Sequence, residues 1–224
     1  MNAAVRRSDA PRALVTGLGG FTGRYLASEL EAAGYRVFGT AHGNDPLGPD
    51  MFAVDLGNRE DLHRVVAEVR PDVVAHLAAI SFVAHGDVEA IYRVNVVGTR
   101  NLLEVLAGLD KRPMAVLLAS SANIYGNAAV EVIDELVAPS PANDYAVSKL
   151  AMEFMARLWL ERLPVVIARP FNYTGVGQSE SFLLPKIVDK PEAEIAAACE
   201  RLLRTYDPCI SCSTHFLKLK LERD

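Results

Sequence analysis

From Ala13 onward the sequence alternates short, almost wholly apolar runs with longer amphipathic ones, and no other feature restricts the possible folds as strongly. The short runs are ALVTG (13–17), YRVFGT (35–40), MFAVD (51–55), PDVVAHLA (71–78), MAVLLAS (114–120) and PVVIARP (164–170). Nearly continuous apolar character of this length is what strands buried on both faces require. Between them lie TGRYLASELEAAG (22–34), REDLHRVVAEVR (59–70), VEAIYRVNVVGTRNLLEVLAGL (88–109) and YAVSKLAMEFMARLWLERL (145–163), in which apolar residues recur at the helical spacing of three and four. Strand and helix in regular alternation predict an α/β chain: a doubly wound parallel sheet with helices on both faces. A ligand of such a fold sits beyond the carboxyl ends of the strands.

Composition narrows the function classes. The chain has 224 residues, 50% of them hydrophobic, with a formal charge of −5, so it lacks the basic surface that contact with a phosphate backbone needs. No nucleic-acid partner is expected. No apolar stretch is long enough to span a bilayer, so no membrane role is expected either. The two arginines near the start are not followed by a signal-peptide core, and the three cysteines all lie after residue 198. A disulfide framework is therefore excluded for the body, and a cytoplasmic location is the expectation.

TGLGGFTG (16–23) stands between the first strand and the first helix. Gly17, Gly20 and Gly23 allow a tight turn and a close backbone approach, and Phe21 and Thr22 open the helix whose free N–H groups would face a pyrophosphate. The loop predicts a dinucleotide cofactor, NAD or NADP. At the end of the second strand stand Thr40, Ala41 and His42, neither the carboxylate that favours NAD nor the arginine that accepts a 2′-phosphate, so the choice stays open. Tyr145 and Lys149, four apart on a predicted helix, share one face. An ammonium beside the phenol would lower its pKa and suit it to proton transfer with a sugar oxygen.

The glycine spacing departs from GxGxxG and resembles the TGxxGxxG loop of the extended short-chain dehydrogenases/reductases, the nucleotide-sugar epimerases and dehydratases. Further motifs resemble that family in order: DL (55–56), HLAA (76–79), NVVGT (95–99), SSANIYG (120–126), YAVSK (145–149) and RPFNYTG (169–175). The resemblance implies that Asp55 and Leu56 lie along the adenine, that Leu77, Ala78 and Ala79 line the dinucleotide groove, and that Asn95 orders the site. It also implies a catalytic set of Ser121, Tyr145 and Lys149, with Lys149 holding the nicotinamide ribose. Dehydratases of the family carry a glutamate two residues before the tyrosine that corresponds to Tyr125, whereas this chain has Asn123, which cannot serve as that base. A ketoreductase or a 4-epimerase remains. The stretch RPFNYTGVGQSESFLLPKI most resembles reductases that form GDP-rhamnose from GDP-4-keto-6-deoxymannose. On that resemblance Ser81, Ser121, Asn123 and Asn172 are substrate-binding residues, with Phe82 as a further neighbour. A homodimer through the helices of residues 87–107 and 145–163 is also implied.

The pattern changes near Asp189. Residues 1–12 read as a flexible N-terminus, 13–189 as the NAD(P)-binding domain, and 190–224 as an unrelated helical tail. The tail resembles the C-terminal end of nickel-iron hydrogenase large subunits, through Asp207, Pro208, Cys209, Cys212 and His215. A metal centre of that kind needs four ligands, and no second CxxC exists in the chain, so no metal site is assigned. The expected enzyme thus has a truncated substrate lobe. Its alternative is a dinucleotide-binding module without catalysis.

Overall fold

The computed structural model describes residues 10–43, 48–81 and 86–179. Six strands, β1 (Arg12–Thr16), β2 (Arg36–Ala41), β3 (Met51–Ala53), β4 (Val73–His76), β5 (Ala115–Ala119) and β6 (Val165–Ala168), form one sheet in the order β3-β2-β1-β4-β5-β6. Every neighbouring pair is parallel. The doubly wound expectation is met, and the chain reverses its direction of sheet growth between β1 and β4, where a crevice opens at the carboxyl ends.

The helices form where the apolar period and the caps agree. In α2 (Arg59–Val69), Asn58 caps the first turn by accepting N–H bonds from Glu60 and Asp61, and Leu62, Val65, Val66 and Val69 are buried. That face joins the larger core cluster, with Leu102, Leu103 and Leu106 of α4 (Thr99–Ala107) and Met152 and Ala156 of α5 (Asp144–Arg157). On the opposite face of the sheet, Leu26, Ala27 and Leu30 of α1 (Phe21–Ala32) pack on Ala13, Val15, Val37 and Ala75. Burial of these two faces is the main stabilising force for the three-layer arrangement.

Two features depart from the sequence pattern. The predicted helix over 88–109 is three pieces: α3 (Val88–Tyr92), a π-helical stretch (Arg93–Gly98) and α4. Such widenings accompany a side chain that has its own hydrogen-bonding task, and Asn95 occupies this one. Strand β6 is not buried on both faces: Val166 is 55% exposed, whereas Val15 of β1 and Val116 of β5 are 0% exposed. Among the described residues β6 is an edge strand, and an edge has fewer neighbours to cover it.

Candidate active site

The glycine loop leaves β1 and turns sharply because Gly17 adopts φ +71°, in the left-handed region. A side chain there would be strained, and a Cβ would lie 2.9 Å from Ala78 backbone. Gly20 differs: its φ is −69°, and an added Cβ would meet only the Gly17 carbonyl oxygen at 3.2 Å, with open space otherwise. Gly20 is the N-cap of α1 and offers no side-chain cap, so the first-turn N–H groups of Phe21, Thr22 and Gly23 keep the positive end of the helix available to an anion. No acidic residue occupies that first turn. The cradle therefore fits the pyrophosphate of a dinucleotide.

Across the crevice, the residues after β4 are held by a buried hydrogen-bond chain. Thr16 donates its hydroxyl to His76 Nδ1 (2.7 Å) and accepts the Ala78 N–H (3.2 Å), while His76 Nε2 donates to Thr99 Oγ1 (2.9 Å). Thr99 in turn donates to the Asn95 carbonyl (2.8 Å), which fixes the imidazole as the Nε2–H tautomer. Burial pushes the His76 pKa down to about 3. The Asn95 side chain accepts the Ile80 N–H (2.9 Å) and donates to the Ile80 carbonyl (3.1 Å) and to Ser148 Oγ (3.0 Å). Ser148 donates to the Tyr145 carbonyl (2.7 Å), so one network joins the groove wall of Leu77, Ala78 and Ala79 to α5.

The sequence-predicted residues thus fall into different roles. Asn95 is 2% exposed and its amide is fully used within the protein, so it orders the groove wall and is not itself a surface for the cofactor. Leu56 likewise turns its side chain into the core, and its carbonyl accepts from Asn101. Asp55 stays exposed, with one carboxylate oxygen accepting the Gly57 N–H at 2.8 Å. Ser81, Asn123 and Asn172 are exposed. Phe82 lies outside the described residues.

Ser121 follows β5 as the N-cap of a 3-10 turn (Ala122–Tyr125), and its Oγ accepts the Asn123 N–H at 3.2 Å. Tyr145 lies in the first turn of α5, whose N-cap Asn143 accepts the Ala146 N–H. Lys149 is 5% exposed and donates to the Ala119 carbonyl at 2.7 Å, with its Nζ 5.8 Å from the Tyr145 ring centroid. This corrects the expectation that the ammonium lowers the phenol pKa. Burial raises the Tyr145 pKa above its ordinary value, and hydrogen bonding from Ser121 offsets this in part. Burial also pushes Lys149 down to about 8. Lys149 reaches along α5 to the end of β5 and spends its hydrogen bond on a carbonyl there, leaving desolvation to govern the phenol.

These positions, in this strand order, decide the family. A model of the NAD dependent epimerase/dehydratase family matches residues 13–198. The chain belongs to that family. It is 35% identical over 176 residues to a GDP-6-deoxy-D-talose 4-dehydrogenase from Aggregatibacter actinomycetemcomitans, covering 78% of this chain and 57% of that protein. It is 38% identical over 180 residues to a GDP-6-deoxy-D-mannose reductase from Pseudomonas aeruginosa, covering 77% of this chain and 56% of that one. A crystal structure from Burkholderia cenocepacia J2315 shares 59% identity with a TM-score of 0.75, over 80% of this chain and 59% of that one. Solved relatives of this fold hold NADPH or NAD. The chain therefore spans a little over half the length of the curated relatives it matches. The hydrogenase-like reading of residues 190–224 gains no support from these matches, and Cys199, Cys209, Cys212 and His215 lie outside the described residues.

Sequence reasoning missed four residues, which make three links. His76 and Thr16 carry the network behind the groove; His76 is a polar residue at the end of an apolar strand run, which was the available signal. Ser148 bridges Asn95 to α5 from inside the quoted YAVSK. Tyr173 hydrogen-bonds Thr22 Oγ1 at 2.6 Å and stacks on Phe21, tying the segment after β6 to the start of α1. That third link joins residues 151 positions apart, and nothing in local spacing announces it.

Proposed function

We propose that this chain binds NAD(P) and carries the catalytic half of a 4-ketoreductase for a GDP-4-keto-6-deoxyhexose. The observation that carries the proposal is the convergence of Ser121, Tyr145 and Lys149 at the carboxyl end of β5, opposite the Gly17–Gly23 loop, with an amide at Asn123. The pyrophosphate would lie on the N–H groups that open α1, and Lys149 would hold the nicotinamide ribose. The nicotinamide supplies the hydride when bound. Tyr145, protonated across the neutral range as an ordinary phenol is and pushed further that way by burial, donates its proton to the C4 oxygen. Ser121 hydrogen-bonds the same oxygen, and Asn172 contacts the substrate diphosphate. A phenol that keeps its proton suits reduction of a ketone, in which the acid form is the one required. The similarity to GDP-sugar 4-dehydrogenases and reductases supports the substrate class. A homodimer would pair the faces that expose Val97, Val147 and Phe154.

Calorimetric titration with NADH and NADPH, then with a GDP-sugar, tests the binding half. Nicotinamide absorbance during incubation with GDP-4-keto-6-deoxymannose tests the chemistry. Cofactor oxidation matched by a GDP-6-deoxyhexose product supports the reductase. A C4-epimerised sugar without net oxidation assigns the 4-epimerase reading. Cofactor affinity without turnover assigns a dinucleotide-binding module.

A further inference from the structure

The 3-10 turn that carries Ser121 and Asn123 is gripped at both ends by one ion pair outside the catalytic set. Glu153 lies one helical turn beyond Lys149 on α5 and is 2% exposed. It receives two prongs of the Arg169 guanidinium, Nε to Oε1 at 2.9 Å and Nη2 to Oε2 at 2.6 Å. Arg169 follows β6 and stands three residues before Asn172. Ser120, immediately before Ser121, donates its hydroxyl to Glu153 Oε1 at 2.5 Å. At the far end of the turn, the Tyr125 phenol oxygen accepts from Arg169 Nη1 at 2.7 Å. The backbone reinforces the grip, with Ser120 N–H on the Ala168 carbonyl (2.8 Å) and Ala122 N–H on the Pro170 carbonyl (2.9 Å).

We propose that Glu153 and Arg169 are positioning residues, whose paired charges act through Ser120 and Tyr125 to hold the Ser121 turn against Tyr145. The inference rests on the proposed reading of Ser121 and Tyr145 as partners. Bidentate, charge-assisted hydrogen bonds are short and directional, so a side chain bound to one inherits its geometry. A pair that merely joined β6 to α5 would need neither a serine hydroxyl nor a tyrosine oxygen. Here one further bond from each member of the pair goes to the two ends of one short turn, and that turn presents a group whose misplacement by about 1 Å would impair proton transfer. Burial adds to the constraint: Glu153 is held away from water and has no solvent partner to replace Arg169, so its carboxylate cannot turn away without losing its bonds.

The test unhooks the turn and leaves the ion pair in place, using Ser120→Ala/Tyr125→Phe. The readout is the 13Cζ NMR signal of Tyr145 in tyrosine-labelled protein, assigned by its loss in Tyr145→Phe and calibrated for a lost Ser121 hydrogen bond with Ser121→Ala. In the double variant the signal should move at least halfway to the Ser121→Ala position, with Ala122 amide exchange accelerated at least tenfold and Leu118 exchange unchanged. A folded double variant with the Tyr145 signal at its parent position overturns the proposal. Each single variant, Ser120→Ala or Tyr125→Phe, should give a smaller displacement in the same direction; if the double does not fold, two folded singles at the parent position overturn it equally. The readout needs neither cofactor nor substrate, so absent NAD(P) binding or turnover removes the functional reading and leaves this result standing on its own.

Discussion

The two sides of the crevice are built differently. On the cofactor side, between β1 and β4, every polar side chain of the Thr16–His76–Thr99–Asn95–Ser148 chain is buried and bonded, and the groove wall is fixed before any ligand arrives. On the substrate side, beyond β5 and β6, Val166, Phe171, Tyr173 and Val176 are all about half exposed or more. The contrast teaches that one half of the site is preorganised by its own core, while the other presents apolar surface among the described residues. Cofactor affinity and chemistry should therefore separate under mutation.

The largest separation is expected for Tyr145→Phe. It deletes the proton donor and leaves the ring, so ketone reduction should fall by about a thousandfold, within the range typical of a lost general acid. NADPH or NADH affinity should stay within about twofold, since the loop and the groove wall are untouched. Equal loss of both in calorimetry and turnover assays would merge the two halves that the comparison keeps apart.

Within the cofactor half, two glycines should break in different ways. Gly20→Val places a branched side chain in open space over the α1 N-terminus, so cofactor affinity should drop at least tenfold, about 1.4 kcal/mol, with the melting temperature nearly unchanged. Gly17→Ala meets the Ala78 backbone at 2.9 Å with φ +71°, so it should cost on the order of 1–3 kcal/mol of stability with or without ligand. Thermal melts beside titrations distinguish them. Retained affinity in a folded Gly20→Val protein would move the pyrophosphate elsewhere.

The preorganised network also carries a pH signature. His76 has a folded pKa of about 3 against an ordinary value of 6.5, so the unfolded chain binds the extra proton between those values. Stability should therefore fall as pH drops below about 6.5, with a slope approaching 1.4 kcal/mol per pH unit from this residue, and level off near pH 3. Asp72, whose pKa is lowered chiefly by its hydrogen bond from Lys111, adds loss in the same acid direction at lower pH. Denaturant midpoints of His76→Gln from pH 7 to pH 4 should show a flatter dependence than the parent. An unchanged slope would place the titrating group outside this network.

Much of this architecture was legible in the sequence because burial leaves a periodic trace. The apolar runs located all six strands. The site was legible as positions: Tyr145 and Lys149 by helical spacing, Gly17 and Gly20 by the turn. Its electrostatics were not. The Lys149–Tyr145 spacing suggested an activated phenol, but the reach of Lys149 to the Ala119 carbonyl is a tertiary fact. The same holds for Asn95, whose role depends on a π-helical widening and on two backbone groups of Ile80. Pairings across 16 to 151 residues, such as Glu153 with Arg169 or Thr22 with Tyr173, leave no local pattern to read.

The smallest effect probes the edge itself. Val116 on β5 pairs with Val165 and Val166 on β6 pairs with Leu117, so the two valines stand one register step apart on opposite faces of the sheet, and both were read as strand residues buried on two faces. Val116 is fully buried, so Val116→Thr would put a hydroxyl among apolar side chains and should cost about 1–3 kcal/mol. Val166 is 55% exposed, and Thr keeps the β-branched shape that suits a strand, so Val166→Thr should change stability by no more than about 0.5 kcal/mol. Urea denaturation of both variants measures the difference directly. A cost at Val166 as large as that at Val116 would mean that something covers this edge in solution, in which case the substrate half is as preorganised as the cofactor half and the asymmetry between them disappears.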